Sequence, residues 1–224
     1  MGRVSVFRRK AWVKIQIFVL EAILRPLRPA GMIRLGTFYG GWWIPDVAPG
    51  RGVAICVGAG TDVTFDLELQ RLGYTVYTVD PTPAAVAHVT QHAPGLTLVP
   101  VGVWTESGEL EFARDVVWNE SWMIGRTVPG GTAVDQVERF PVSSVKDLLA
   151  SLDDPQVAVL KLDIEGAEHA VIESMIADGI RPHCLCVEFD DHTIAKVLRS
   201  NRRLRRHGYE LWQIEGLNYI FVLR

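Results

Sequence analysis

Cysteine is scarce in this chain, and no apolar run is long enough to cross a membrane. The three cysteines, Cys56, Cys184 and Cys186, all lie in apolar runs of the 224-residue sequence. An odd count without framework spacing favours buried free thiols in a reducing compartment, so we expect a cytoplasmic protein. We expect the thiols of Cys184 and Cys186 to point to opposite faces of a strand, which argues against a shared metal site.

A general excess of positive charge is also missing. The chain has 23 Lys and Arg against 26 Asp and Glu, a net charge of −3, so we expect no nucleic-acid partner. Apolar residues at 48% and charged residues at 22% are ordinary for a soluble globular protein, and the length allows a full core. We divide the chain into an N-terminal segment, 1–50, holding a helix and an aromatic lid, and a main domain, 51–224.

The N-terminal segment departs from the average charge of the chain. Between Arg3 and Arg28 there are seven basic residues and one acid, Glu21. The apolar run among them is too short and too interrupted to span a membrane, and no signal-peptide cleavage site follows it. Five apolar positions recur at the spacing of a helix: Trp12, Ile15, Phe18, Ala22 and Ile23. We predict a basic amphipathic helix ended by Pro26, which covers the core or a second copy, or rests on an anionic membrane surface.

The stretch 53–80 has the pattern strand, glycine turn, helix, strand, acid. An apolar run stops at Gly58-Ala59-Gly60, a helical segment ends at Gly73, and a second apolar run finishes on Asp80. Glycines let the backbone approach a ligand closely, since a Cβ there would collide with it. A carboxylate at the end of the second strand can accept both hydroxyls of a ribose. The pattern therefore predicts half of a nucleotide-binding βαβ unit.

The glycine pattern is incomplete for a dinucleotide. Val63 occupies the position of the third glycine in G-x-G-x-x-G, and Asp62 would repel a pyrophosphate. S-adenosylmethionine fits better, with its ribose at Asp80 and its zwitterionic methionine end near the turn. Two alternatives stay open here, a nicotinamide-dependent oxidoreductase and a strand–turn–helix without a ligand.

Strands and helices continue to alternate past Asp80, which predicts a parallel sheet with helices on both faces. The predicted strand regions are 96–103, 157–162 and 183–189, with a final antiparallel hairpin of 209–214 and 218–223. The predicted helices are 83–91, 145–151, 166–177 and 193–207. Residues 109–114 are expected to form a hairpin with the region after them, and residues 116–139 form a long irregular loop. A seven-stranded α/β sheet, mostly parallel, with a terminal hairpin and a glycine turn after the first strand, is the layout of a Rossmann-like class I methyltransferase.

Residues 160–168, Leu-Lys-Leu-Asp-Ile-Glu-Gly-Ala-Glu, resemble the signature of the FkbM family of S-adenosylmethionine-dependent methyltransferases. Residues 58–60, 80–81, 140–149 and 187–188 are also similar to that family, so the resemblance covers about residues 50–190. It implies methyl transfer from S-adenosylmethionine, usually to a hydroxyl oxygen in a sugar or secondary-metabolite pathway. The family commonly has an acid where this chain has Cys56, and Asp62 replaces the last glycine of its turn. Asp62 is a hypothetical substitute for that acid in holding the methionine ammonium group.

Cofactor-binding residues are expected along the strand ends and the turn: Gly58, Ala59, Gly60, Asp62, Asp80, Pro81, Gly102, Val103 and Asp163. Methylation of an alcohol needs a base near the methyl group. Asp163 is the first candidate, and His192 the second, because the ordinary pKa of histidine, about 6.5, suits proton transfer. Four residues could converge on a divalent metal, although we expect a solvated acidic loop: Asp163, Asp190, Asp191 and His192.

Aromatic side chains before the first strand and in the middle loop could close over the strand edge. Substrate contacts are expected from Tyr39, Trp42, Trp43, Trp118, Trp122 and Glu188. Aromatic walls suit the face of a sugar or polyketide, so the expected partner is a small-molecule or glycoside acceptor. Packing under loops is the alternative for the aromatics. A catalytically silent domain, kept as an interaction module with the N-terminal helix as its contact, also remains open.

Overall fold

A seven-stranded sheet forms the centre of the molecule. The computed structural model describes residues 3–46, 52–115, 122–124, 134–152 and 156–224. In chain order the strands of this sheet are β3 (Val53–Val57), β4 (Thr75–Val79), β5 (Thr97–Val99), β10 (Val157–Leu162), β11 (Cys184–Glu188), β12 (Tyr209–Glu215) and β13 (Asn218–Leu223). Their spatial order is β12-β13-β11-β10-β3-β4-β5. The five strands from β11 to β5 are parallel, and β13 is antiparallel to both its neighbours, as predicted.

Helices cover both faces of this sheet, and its central strand β3 is apolar throughout. The helices are α2 (Thr64–Arg71), α3 (Pro83–His92), α4 (Val145–Ala150), α5 (Glu168–Ala177) and α6 (Ile194–Arg206). Alternate residues of β3 enter two separate hydrophobic clusters, Ile55 in one and Cys56 in the other, because successive side chains point to opposite faces.

The expectation that Cys184 and Cys186 face opposite sides of β11 is wrong. Residues two apart in a strand share a face, and the two Sγ atoms lie 3.9 Å apart in one cluster. All three cysteines are buried free thiols, as predicted. Burial raises the pKa of Cys56 and of Cys186 well above its ordinary value, so these thiols stay protonated.

A second sheet accounts for part of the stretch predicted to be irregular. Its strands are β6 (Gly102–Trp104), β7 (Gly108–Asp115), β8 (Trp122–Ile124) and β9 (Val134–Ser144), in the order β6-β9-β7-β8. The predicted strand region 96–103 is divided between β5 in the central sheet and β6 in this one. The prediction of a loop up to residue 139 fails because β9 is held by long-range pairing with β7, from Gly108 opposite Val142 to Asp115 opposite Val134.

A two-stranded hairpin, β1 (Met32–Leu35) and β2 (Trp42–Pro45), precedes the central sheet. The sequence pattern predicted only a lid segment here. Strand β2 packs beside β11 and β13, and β1 packs beside α2. The tip of the hairpin therefore lies close to the start of α2, where the glycine turn ends.

The N-terminal helix α1 (Arg3–Leu24) forms as predicted but buries a different face. Leu20 is fully buried in the core and Leu24 packs against it, whereas the predicted apolar face is exposed at Trp12, Ile15 and Ile23. Both sides of the helix are apolar, so spacing alone could not identify the packed one. None of the described helices is long and apolar enough to cross a membrane.

Candidate functional site

A cleft of about 290 Å³ opens at the carboxyl ends of β3, β4 and β10. Open α/β sheets bind ligands at this edge. All nine residues predicted to bind a cofactor line the cleft: Gly58, Ala59, Gly60, Asp62, Asp80, Pro81, Gly102, Val103 and Asp163. A larger hollow of about 850 Å³ lies near the starts of β10 and β11, and none of the predicted site residues lines it.

The two glycines of the turn have different neighbours. Gly58 has a φ of +83°, and a Cβ added there would meet the carbonyl oxygen of Asp163 at 1.9 Å. Gly60 has a φ of +51°, and an added Cβ would have no atom within 4 Å. Gly58 is therefore required by the packing of the turn against β10, whereas Gly60 leaves open space at the cleft.

Asp80 holds the glycine turn through backbone hydrogen bonds. Its Oδ2 accepts from the amides of Ala59 at 3.0 Å and Gly60 at 3.2 Å. Its Oδ1 accepts from the amide of Thr82 at 2.8 Å and from the Thr82 hydroxyl at 2.6 Å. A carboxylate offers about four lone-pair positions, and these four donors occupy them. A ribose hydroxyl at Asp80 would have to share an oxygen with one of these donors.

Asp62 connects the turn to the tip of the β1–β2 hairpin. The hydroxyl of Thr37 donates to its Oδ2, and Thr64 donates to its Oδ1 from the amide at 3.0 Å and the hydroxyl at 2.6 Å. Partial burial alone would raise the pKa of Asp62, but these hydrogen bonds lower it below its ordinary value. A Cβ on Gly40 would lie 2.6 Å from the Asp62 Cγ, so the hairpin closes tightly on this carboxylate. Both oxygens of Asp62 already accept hydrogen bonds from the protein, so neither is reserved for the methionine ammonium group.

Lys161 is a buried cation beneath the cleft, and the sequence interpretation gave it no role. Its Nζ donates to the carbonyl of Gly58, lies 3.2 Å from Asp163 Oδ2 and is 5.7 Å from the Trp42 ring centre. Burial alone would lower the pKa of Lys161, but the charges of Asp163 and Asp66 raise it above its ordinary value. A lysine inside an otherwise apolar strand was the available signal, since a buried charge requires partners.

Asp66 extends this buried charge network below the turn. It lies on α2, almost fully buried, and its Oδ1 accepts from the Thr78 hydroxyl at 2.7 Å. Burial raises the pKa of Asp66 to about 6, and the nearby Lys161 opposes that rise. The sequence interpretation assigned nothing to Asp66, because an acid in the first turn of a helix is ordinary.

Carboxylates gather around Asp163 at the far side of the cleft. Oxygens of Asp163, Glu165 and Asp190 lie within 4.8 Å of one another. Burial, with the charges of Asp163 and Glu165, raises the pKa of Glu188 to about 9. Burial and the neighbouring acids also raise the pKa of Asp190 well above its ordinary value. The predicted metal set is not brought together as expected, since Glu165 takes the place of Asp191 and His192. Grouped carboxylates alone do not define a metal site, and we assign none.

His192 and Asp191 are turned away from the cleft. The His192 ring is buried, with Nδ1 3.1 Å from the Phe189 carbonyl oxygen and Nε2 3.3 Å from the Tyr219 hydroxyl. Burial lowers the pKa of His192. Asp191 accepts from the Thr193 hydroxyl at 2.7 Å and pairs with Lys196. This geometry argues against His192 as the base and against either residue as a metal ligand.

The predicted aromatic contacts divide into three groups. Tyr39, Trp42 and Trp122 line the cleft, and Trp122 packs edge to face on Phe140 with ring centres 5.4 Å apart. Trp43 does not line it, because neighbouring residues of a strand point to opposite faces. Trp118 lies outside the described residues. Glu188 lines the cleft as predicted, and so does Phe112, which the sequence interpretation missed.

No protein-family model matches the chain, and no curated protein matches it, so the resemblance to the FkbM family is not confirmed. Among solved structures, the chain is similar to the 16S rRNA N2 G1207 methyltransferase (RsmC) of T. thermophilus in complex with AdoMet and guanosine. The identity is 15% and the TM-score 0.38, and the match covers 88% of this chain and 46% of that one. A similarity of this size carries no argument about fold or activity.

Proposed function

We propose that the chain is an S-adenosylmethionine-dependent methyltransferase that methylates a hydroxyl oxygen of a small molecule or sugar. The observation that carries the proposal is the charge of the cleft. Its described lining has one basic residue, Lys161, against five acidic ones, of which Glu188, with its pKa raised to about 9, is protonated at neutral pH: Asp62, Asp80, Asp163, Glu165 and Glu188. S-adenosylmethionine presents a sulfonium and an ammonium group, which a negative cleft attracts. The pyrophosphate of a nicotinamide dinucleotide would be repelled, so we do not favour an oxidoreductase.

The position of the cleft also supports this cofactor. The central sheet has seven strands with a terminal antiparallel hairpin and a glycine turn after the first strand, the layout expected of a class I methyltransferase. The cleft adjoins that turn, and Gly60 leaves open space there. The signature-like residues 160–168 begin in β10 and bring Asp163 and Glu165 to the same cleft.

The residues of the cleft fit one end of the cofactor better than the other. The acids around Asp163 suit the ammonium end of the cofactor, because among the described residues only one buried cation, Lys161, opposes their negative charge. The amides of Ala59 and Gly60 lie along the cleft wall, but both donate to Asp80. We therefore place the cationic end at Asp163 and Glu188, and the nucleoside end along the turn near Pro81 and Val103.

S-adenosylmethionine supplies an electrophilic methyl group to a nucleophile aligned with it. Asp163 is the proposed base, since its carboxylate lines the cleft and can accept the proton of an acceptor hydroxyl. Lys161, whose Nζ lies 3.2 Å from Asp163 Oδ2, fixes the orientation of that carboxylate. Trp42 and Trp122 would exclude water from the acceptor side of the cleft.

Cofactor choice is tested by calorimetry with S-adenosylmethionine and with NAD on the same protein. We expect S-adenosylmethionine to bind and NAD to give no detectable binding. The reverse result would contradict the proposal. Asp163→Asn should weaken cofactor binding, because it removes a carboxylate from the cationic end, and should still impair methyl transfer when the cofactor is saturating. Asp191→Asn is the matched control, because the same chemical change is made outside the cleft. Normal turnover in Asp163→Asn would remove Asp163 as the base.

The acceptor class is tested with labelled cofactor. Incubation with hydroxylated small molecules, glycosides and an RNA, followed by mass spectrometry, reports which accepts a methyl group. We expect a hydroxylated small molecule or glycoside to be labelled, since an acidic cleft repels nucleic-acid phosphates. Labelled RNA as the sole product would overturn the assignment of the acceptor while leaving the cofactor assignment standing.

A catalytically silent interaction module is a second candidate, and the hydrogen bonding of Asp80 favours it. Four protein donors already occupy the carboxylate expected to bind a ribose. Calorimetry separates the two functions. No detectable binding of S-adenosylmethionine, S-adenosylhomocysteine or NAD would support the interaction module.

A further inference from the structure

The outward side of α1 is apolar and uncovered by any described residue. Trp12 is 59% exposed, Ile15 53% and Phe18 72%, and Ile23 extends the same surface toward the end of the helix. Leu20 and Leu24, on the other side, pack into the core. Since the helix is already anchored by that side, the exposed apolar groups are not required to hold it on the protein.

Cations flank this apolar surface. Ile23 and Leu24 of α1 share a hollow with Arg202, Arg205 and Arg206 of α6. These arginines are exposed, and the described residues give Arg202 and Arg206 no ion pair. Seven of the 23 lysines and arginines of the chain lie between Arg3 and Arg28, and six lie in α6, which contains no acid. In a chain of net charge −3, the positive charge is therefore concentrated around one apolar helix.

We propose that the outward face of α1, together with the exposed arginines of α6, docks on an anionic lipid surface. Apolar and aromatic side chains would enter the interface between headgroups and acyl chains while the arginines pair with anionic headgroups. The helix would lie on the bilayer, because no described helix is long and apolar enough to cross it.

A second copy of the chain is the less favoured occupant. A two-fold contact would place the same patch of both copies face to face. Both sides of the contact would then carry the exposed arginines of α6, and bringing two positively charged patches together is unfavourable. An anionic bilayer has no such conflict, since its charge is opposite to that of the patch.

Vesicle binding by the full chain tests the proposal without any activity measurement. We expect co-sedimentation with phosphatidylcholine vesicles that contain about one third phosphatidylserine, weakening as salt is raised, and little with phosphatidylcholine alone. Ile15→Ser/Phe18→Ser should weaken binding by more than about tenfold, because it removes exposed apolar groups from the interface. Phe38→Ser is the matched control: Phe38 is 95% exposed at the β1–β2 tip, away from α1.

A second variant tests the contribution of the arginines to vesicle binding. Arg202→Gln/Arg206→Gln should weaken binding by about 25-fold, near fivefold for each arginine. Arg71→Gln/Arg181→Gln removes two exposed arginines elsewhere and should bind like the unaltered chain. Unchanged thermal unfolding of all variants shows that the fold is retained.

Three results would overturn the proposal. The first is no binding to phosphatidylserine vesicles by the unaltered chain. The second is unchanged vesicle binding by the Ile15→Ser/Phe18→Ser variant. The third is a dimer in light scattering that this variant dissociates, in the absence of vesicle binding, which would assign the face to a second copy.

Discussion

Gly58→Ala and Gly60→Ala form a matched pair that separates a glycine required by the fold from one facing the ligand. Both residues have positive φ, +83° and +51°. An alanine at either position therefore carries a similar backbone penalty of about 1–2 kcal/mol. The difference between the two variants reports what the new methyl group meets.

The methyl group of Gly58→Ala would lie 1.9 Å from the carbonyl oxygen of Asp163 and 2.9 Å from its carbonyl carbon. Those atoms belong to backbone, and the Asp163 amide donates to the Val57 carbonyl at 3.2 Å, so side-chain rotation cannot relieve the contact. Overpacking adds about 1–3 kcal/mol to the backbone penalty. We expect Gly58→Ala to lose about 2–5 kcal/mol of unfolding free energy and Gly60→Ala about 1–2 kcal/mol.

Urea denaturation followed by tryptophan fluorescence measures both losses, and calorimetry measures cofactor affinity. The Gly60→Ala methyl group enters open space at the cleft, so this variant should fold and bind S-adenosylmethionine at least about tenfold more weakly. Equal losses of stability in the two variants would refute the close approach of Gly58 to Asp163. Unchanged affinity in Gly60→Ala would refute a ligand resting on the turn.

Three further perturbations address the buried charges and a helix cap. Burial raises the pKa of Glu168 to about 8, so its contribution to stability is fully present below pH 4.5 and falls by roughly 3 kcal/mol between pH 5 and 8. In urea titrations Glu168→Gln should remove this part of the pH dependence, while the parts that come from Asp66 and Glu188 remain. Lys161→Met should cost about 3 kcal/mol in the same assay by stranding Asp66, and adding Asp66→Asn should recover much of it. Ser144→Ala removes the hydroxyl that accepts from the Asp147 amide at 3.0 Å and should cost about 1 kcal/mol in thermal unfolding.

The central sheet was predictable because its strands are buried on both faces. The strand Val53–Val57 appears in the sequence as an unbroken apolar run, and Val157–Leu162 is interrupted only by Lys161. Buried parallel strands have that pattern. The strand Val134–Ser144 has no such pattern, since it mixes charged and apolar residues and Val137 is exposed. It forms because β7 pairs with it, and single-sequence periodicity does not contain that information.

The site was predictable to the extent that topology fixes it. Parallel strands bring their carboxyl ends to one edge, so Asp80 and Asp163 met in one cleft without any knowledge of side-chain packing. His192 failed as a candidate because the chain turns within a few residues of the end of β11. The Asp190 carboxylate stays near Asp163, whereas the His192 ring is directed toward Phe189 and Tyr219.

The acids of the cleft differ in how many hydrogen bonds they already accept from the protein. Asp62 and Asp80 accept hydrogen bonds from the hairpin and the turn, so their charges shape the cleft more than they contact a ligand. Glu188 lines the same cleft, and the described residues give its side chain no hydrogen bond. Burial and neighbouring acids raise its pKa to about 9, which keeps it protonated at neutral pH. A cationic ligand would lower that pKa and ionise Glu188, so the cleft gains negative charge when a cation enters it. This response would favour the proposed sulfonium cofactor over an anionic one, independently of any contact to a ribose.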